Sequence, residues 1–311
     1  MVQTSIIAAA CVLGAALVHA HPGPHPVPNA KLLSERSEKA SKCAAQVGAM
    51  KRKRHLQRKR EITDYTIHAD APKYNFLKDD TCILRPEVDQ GPYWYPPFEL
   101  LRQNVAEDQA GVPLELEIGL IDVNTCEPLE YAMISIWHCN ATGSYSSFEY
   151  NPNIPFGDLL KQKGNFAFLA NSNTTFLRGM WPTNSNGVAS FSTTFPGFYV
   201  ERTLHIHAQV HTNWNITKNG TLNAGSRVVE KGQIFFPEDV TKEIMAVEPY
   251  ASHVEVERFT NDIDDIWQDA GATGAATDLD VEPLVGVDFK NGVLGYITLG
   301  IDTTTIKIGN N

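Results

Sequence analysis

The first 20 residues contain no Asp, Glu, Lys or Arg. Within them Ile6–Val18 is apolar throughout, and Val18-His19-Ala20 ends on small residues just before His21. A bilayer span needs about 20 apolar residues, so this run is too short to be an anchor. It reads as a secretory leader, although the usual N-terminal Lys or Arg is missing. No other stretch is as apolar, and no membrane anchor is expected. Cysteine is also scarce. There are five, and loss of the leader removes Cys11. The remaining Cys43, Cys82, Cys126 and Cys139 lack the spacing of a zinc knuckle. An even set in an exported chain suits two disulfides, with three pairings open. The expected pairs are Cys126 with Cys139, which flank one strand and its neighbour, and Cys43 with Cys82, which would tie an N-terminal arm to the core.

Positive charge is confined. Residues 31–60 hold eleven Lys or Arg against two Glu, a net of +9; the chain as a whole is −10, so the remainder carries −19. An exported protein with an acidic body is not expected to bind nucleic acid. The runs Lys51-Arg52-Lys53-Arg54 and Arg58-Lys59-Arg60 could meet the acidic body, another subunit or a wall polyanion, or serve as dibasic processing sites. A solvated helical face that packs on the body is the preferred reading. Ala40, Cys43, Ala44, Val47 and Met50 recur at helical spacing, which predicts a helix from Ser34, as N-cap, to about Arg60. Before it, His21–Asn29 is a Pro- and His-rich arm. His21 and His25 suggest copper only weakly beside the simpler reading of a flexible processed end.

From about residue 80 the pattern turns to β. Leu114, Leu116, Ile118 and Leu120 alternate with polar residues. Met133–Trp137, Gly187–Thr194, Leu204–Thr212 and Gly225–Phe236 also read as strands between Gly, Pro and Asn clusters. Gly292–Asp302 is expected as an edge strand, and Asp262–Asp280 as a loose acidic loop. The fold expected is mainly β, a sandwich of mixed or antiparallel strands with a short N-terminal helical arm. The divisions are a leader over 1–20, an arm with the basic helix over 21–79 and one catalytic domain over 80–311. The oligomeric state is left open, a homodimer included.

The strand at Leu204–Thr212 carries the chemistry. Leu204, Ile206, Ala208 and Val210 alternate with His205, His207, Gln209 and His211. Residues i and i+2 share a face, so His205 and His207 stand side by side, roughly 6–7 Å apart along the strand, and can grip one metal ion. A bare His-x-His is weak evidence, and would equally suit a copper or zinc protein. Further blocks accompany it: Gly91-Pro92-Tyr93, Thr125-Cys126-Glu127-Pro128, Trp137-His138 followed by Gly143-Ser144-Tyr145, Pro196-Gly197-Phe198-Tyr199, Arg202 and Gln233. In this order, over about residues 80–260, the chain resembles the intradiol ring-cleavage dioxygenases, in particular their secreted fungal branch.

The resemblance implies Tyr145, Tyr199, His205 and His207 as ligands of non-haem Fe(III). It places Arg202 and Gln233 beside the substrate, and Tyr93 at the pocket. Phenolates and imidazoles suit ferric iron, whereas the Fe(II) oxygenases use two His and a carboxylate. The implied reaction takes a catechol-type diol and O2 to a cis,cis-muconate-type diacid, with Tyr199 as the ligand that departs and accepts a proton. Arg202 would stabilise negative charge and Gln233 would orient it. One departure stands out. The family often has Arg-Pro-Ala-His, whereas Arg202-Thr203-Leu204-His205 lacks the stiffening Pro.

Four glycosylation sequons, at Asn140, Asn173, Asn215 and Asn219, accord with export. Trp137 is expected in the core, His138 as a hydrogen-bonded structural residue, and His211 as a structural neighbour on the ligand face. A secreted sandwich that binds aromatics or glycans without turnover is the alternative function.

Overall fold

The computed structural model describes residues 30–61, 93–94, 100–164, 169–218, 227–271 and 278–304. The expected leader over 1–20, His21–Asn29, Cys82, Gly91-Pro92 and Asn219 lie outside the described residues.

Two four-stranded sheets face each other. The first is ordered β4-β1-β8-β7, with β1 at Pro113–Asp122, β4 at Val188–Thr194, β7 at Asp280–Pro283 and β8 at Val293–Ile301. It is mixed, because β1 runs parallel to β8 and antiparallel to β4. The second is antiparallel and ordered β3-β2-β5-β6, with β2 at Met133–Trp137, β3 at Arg178–Pro182, β5 at His205–Thr212 and β6 at Arg227–Phe235. The alternation sets the layering: Leu114, Leu116, Ile118 and Leu120 face Ile134, Ile136, Ile206, Ala208 and Val210 in one core. The chain is thus the expected mainly β sandwich.

Three expectations about the frame change. The segment at Gly292–Asp302 is no edge. β8 lies between β1 and β7, and all nine of its residues are buried. Its near-continuous apolar run fits a strand covered on both faces. The acidic loop is ordered in part: after α3 at Phe156–Lys163 and α4 at Glu238–Met245, α5 forms at Asp265–Gly271. The single basic helix is two, α1 at Ala30–Lys42 and α2 at Ala44–Glu61, and Ser34 lies inside α1 rather than at its cap.

The break at Cys43 has a cause, because Cys43 turns inward and forms a disulfide with Cys126. Both expected pairings are therefore wrong. Cys126 follows β1 in the first sheet, whereas Cys139 follows β2 in the second, and it is a buried free thiol. Chain proximity misled because the strand between them belongs to the opposite layer. Cys43, Val47 and Met50 pack on Ile121, Val123 and Cys126. The basic arm meets its own acidic body. Lys51 pairs with Asp280 at 3.0 Å and Lys39 with Asp302 at 2.5 Å. Arg54 is buried and donates to Ile297 O at 3.3 Å and Thr298 Oγ1 at 2.5 Å. Among the described residues no helix is long and apolar enough to cross a membrane.

Candidate metal centre

β5 puts His205 and His207 on the face turned away from the core, and that face is buried too. Across the ladder, His207 stands opposite Trp137 of β2 and Gln233 of β6. The Trp137 ring lies parallel to the His207 imidazole, with centroids 4.9 Å apart and a 2° interplanar angle. The histidine is thereby held on a rigid strand between two neighbours. His205 is fixed differently: its Nδ1 sits 2.8 Å from Thr203 O. A carbonyl only accepts, so Nδ1 carries the proton and Nε2 presents a lone pair. That Nε2 lies 3.2 Å from His207 Nε2 and 3.3 Å from Tyr199 Oη.

Two loops deliver the tyrosines, and two glycines let them meet. At Gly143, with φ +79°, a Cβ would lie 2.2 Å from Phe198 O; at Gly197 it would lie 2.4 Å from Ala141 O. Only residues without a side chain allow the Tyr145 and Tyr199 loops this approach. Arg178 then anchors the turn after Tyr145, donating to Ser146 Oγ at 2.7 Å and Ser146 O at 2.8 Å. The Tyr145 ring centroid lies 5.7 Å from Tyr199 and 6.1 Å from His207. The structure therefore brings Tyr145, Tyr199, His205 and His207 to one point. Tyr93 joins them, stacked on Tyr145 at 4.5 Å and edge-on to Tyr199 at 6.2 Å. Tyr93, Phe148, Tyr150 and Ile154 wall a cleft that opens onto Tyr145 and Tyr199.

Burial sets the protonation of the two phenols. It pushes Tyr199 up to about 12, with the Arg202 charge pulling the other way, and it drives Tyr145 well above the ordinary phenol range. Tyr145 Oη is buried and has no hydrogen-bond partner among the described residues. The donor set suits a metal ion. Two nitrogens each about 2.1 Å from one ion and at right angles lie about 3.0 Å apart, close to the 3.2 Å seen. The unbonded phenol would supply a further oxygen. Among the described residues no group of three or more His, Cys, Asp or Glu could hold a metal ion; a set of two imidazoles and two phenols differs from the two-His, one-carboxylate arrangement of Fe(II) oxygenases.

Comparison with solved structures bears on these contacts. The intradiol ring-cleavage dioxygenase from Tetranychus urticae is 30% identical, over 73% of this chain and 98% of that one, with a TM-score of 0.59. The chain belongs to the intradiol ring-cleavage dioxygenases. A second structure, described as dioxygenase Tetur07g02040, matches with the same identity and coverage and a TM-score of 0.58. No family model and no curated protein matches the sequence. Membership makes the chain an oxidoreductase of the dioxygenase type.

The residues around the centre refine the sequence reading. Arg202 is buried, and its Nη2 donates to Gln233 Oε1 at 2.5 Å. Its Nε donates to Asp264 Oδ2 at 2.7 Å. Asp264 was missed, being one acid among several in a segment taken as loose. A signal exists, since an Asp just before Asp265-Ile266-Trp267 is an N-cap pattern. Burial alone would raise the Asp264 carboxyl, but the Arg202 charge and its hydrogen bonds hold it below the usual range. Thr203 replaces the missing Pro with bonds that Pro could not make. Its N–H donates to Asp264 Oδ2 at 2.9 Å, and its Oγ1 donates to Asn261 Oδ1 at 2.7 Å.

His138 is structural, with Nδ1 2.8 Å from Cys139 O and Nε2 2.8 Å from Thr193 Oγ1. Trp137 is buried, though its stacking on His207 gives it a part in the site. His211 is buried further along β5, beyond a bulge at Val210/His211. Asn173 and Asn215 are exposed. Asn140 is half-buried, donating to Gln109 Oε1 at 3.0 Å and accepting from the Ser144 N–H at 3.0 Å.

Proposed function

We propose that this dioxygenase is a secreted enzyme that uses ferric iron and O2 to open catechol-type diols between the hydroxylated carbons, giving cis,cis-muconate-type diacids. The observation that carries the reading is the approach of Tyr199 Oη and His207 Nε2 to His205 Nε2, at 3.3 and 3.2 Å, with the Tyr145 Oη buried and unbonded nearby. Tyr145, Tyr199, His205 and His207 would hold the iron. When bound, ferric iron supplies Lewis-acid activation of the diol ring toward O2. The chain does the rest. Tyr199 Oη, next to the cleft, would be the group placed to take one diol proton, provided the metal holds it as phenolate. Tyr93, Phe148 and Tyr150 line the cleft in which the diol ring would lie and screen it from water. Gln233 and Arg202 offer N–H donors beside His207. Both atoms of O2 enter the product, so a diol and one O2 balance the diacid with no further reductant.

Export, and the resemblance to the secreted fungal branch, rest on the charge-free leader over 1–20 and the sequons. A disulfide between Cys43 and Cys126 suits an oxidising compartment. Residues 21–79 would form the arm and 80–311 the catalytic domain.

The test is to load the purified chain with Fe(III) and follow colour, O2 uptake and products over a panel of catechols. The expected result is a red to purple protein from phenolate-to-iron charge transfer, with one O2 taken up per diol opened. Tyr145→Phe and His207→Ala should lose the iron, the colour and at least about a thousandfold in rate, roughly 4 kcal/mol of transition-state stabilisation. A colourless protein that binds catechols without O2 uptake would overturn the reading in favour of a binding module. Full turnover without iron would overturn the mechanism.

A further inference from the structure

We propose that Asp264 is a positioning residue: it fixes Arg202, and Arg202 turns Gln233 so that the Gln233 amide nitrogen is presented to the reacting molecule. The inference rests on the reading of the site given above.

The Asp264 carboxylate is wholly buried and saturated. Oδ2 accepts from Arg202 Nε at 2.7 Å and from the Thr203 N–H at 2.9 Å. Oδ1 accepts from the Ile266 and Trp267 N–H groups, at 2.9 and 3.1 Å, as the N-cap of α5. One side chain therefore joins the start of α5 to the approach to β5, two residues before the first histidine of the centre. Through Asn261 the join is doubled: Asn261 accepts from Thr203 Oγ1 at 2.7 Å and donates to Phe236 O at 2.8 Å. Arg202 cannot swing, because its Nε and Nη2 are both committed, to Asp264 and to Gln233.

A guanidinium has only donors. The Gln233 atom 2.5 Å from Arg202 Nη2 must then be the carbonyl oxygen, and the amide nitrogen points away from Arg202. That nitrogen is buried and has no hydrogen-bond partner among the described residues. A buried donor left unbonded is unfavourable, so an oxygen of a bound molecule is its natural partner. Gln233 stands directly opposite His207 in the ladder, which puts this donor at the edge of the centre. The carboxylate balances the guanidinium, and the amide beside it is neutral and oriented.

Two cycles test this. Asp264→Asn keeps the helix cap and the shape but removes the charge that holds Arg202. In the iron-loaded enzyme it should lower kcat about thirtyfold with KM shifted less than about threefold; after Arg202→Met the same change should cost less than about twofold. In metal-free protein, urea unfolding of the same four variants should show the double mutant less destabilised than the sum of the singles. Gln233→Glu keeps an oxygen for Arg202 but removes the amide donor, so the midpoint should hold while kcat falls about thirtyfold or more. Equal losses from Asp264→Asn in both backgrounds, or full activity of Gln233→Glu, would overturn the proposal. If wild-type enzyme with iron does not turn over, the proposed function fails. The unfolding cycle still decides whether Asp264 acts through Arg202.

Discussion

On the sheet β4-β1-β8-β7 the outer face is closed by α2. Arg54 lies beneath the helix, over the Tyr296 ring and against Thr298, and the disulfide pins the helix start to the end of β1. On the sheet β3-β2-β5-β6 the outer face holds Ser135, Arg178, His205, His207, Gln209 and Gln233, all buried. Both sheets present the same apolar inner face to a shared core. They differ in what the second buried face contains. One is fastened by a helix and a covalent bond and carries no candidate chemistry. The other holds polar groups that each need a partner, and its two candidate histidine ligands sit on a central strand braced from both sides. A sandwich can thus separate holding together from reacting, with one layer for each task.

Substitutions on the fastened layer should therefore change stability and leave turnover alone, the reverse of the ligand variants. The largest effect is expected from Cys43→Ser or Cys126→Ser. Opening a link between residues separated by 83 positions should lower stability by about 4 kcal/mol on chain-entropy grounds. Non-reducing urea unfolding would measure this, with kcat of the iron-loaded protein within about twofold of wild type. A large kcat loss at unchanged iron content would break the division. Leu116→Ala, in the shared core, should come next, at about 3 kcal/mol for a buried Leu left as a cavity. Chemical denaturation of the metal-free protein is the check.

The smallest effect sharpens the contrast where the layers touch. His138, after β2, reaches Thr193 of β4 across the sandwich. Burial lowers it from the ordinary 6.5 to about 4, so it is neutral in the fold. Its contribution is full above pH 6.5 and is lost as pH falls through about 4. The shift corresponds to about 3 kcal/mol at most. Thermal unfolding from pH 7 to 4 should show the decline, and His138→Gln should flatten it. An unchanged pH profile in that variant would remove His138 from the account.

Legibility followed the range of the interaction. The alternation of Leu204 to His211 is a property of neighbours, so the strand, its two faces and the paired histidines could be read directly. The blocks around Tyr145 and Tyr199 led to the resemblance, and the loops do meet. Partners distant in the chain were not readable. Nothing local to Cys126 states that the next strand joins the other sheet, so its pairing with Cys139 was inferred from nearness. β8 has the same composition at an edge or a centre until its neighbours are known. Asp264 looked like one more solvated acid, because the Arg202 that neutralises it lies 62 residues away. Thr203 seemed a weakened Pro, and only its contacts with Asp264 and Asn261 reveal an alternative way to brace the strand.

The bond between Cys43 and Cys126 also bears on how the mature protein would look after processing. The basic runs near Arg54 and Arg60 invite trypsin-like convertases. A single nick anywhere between the bridged cysteines would not release the amino-terminal piece. It would yield a two-chain protein that migrates as one species on a non-reducing gel and separates into two only once a thiol is added.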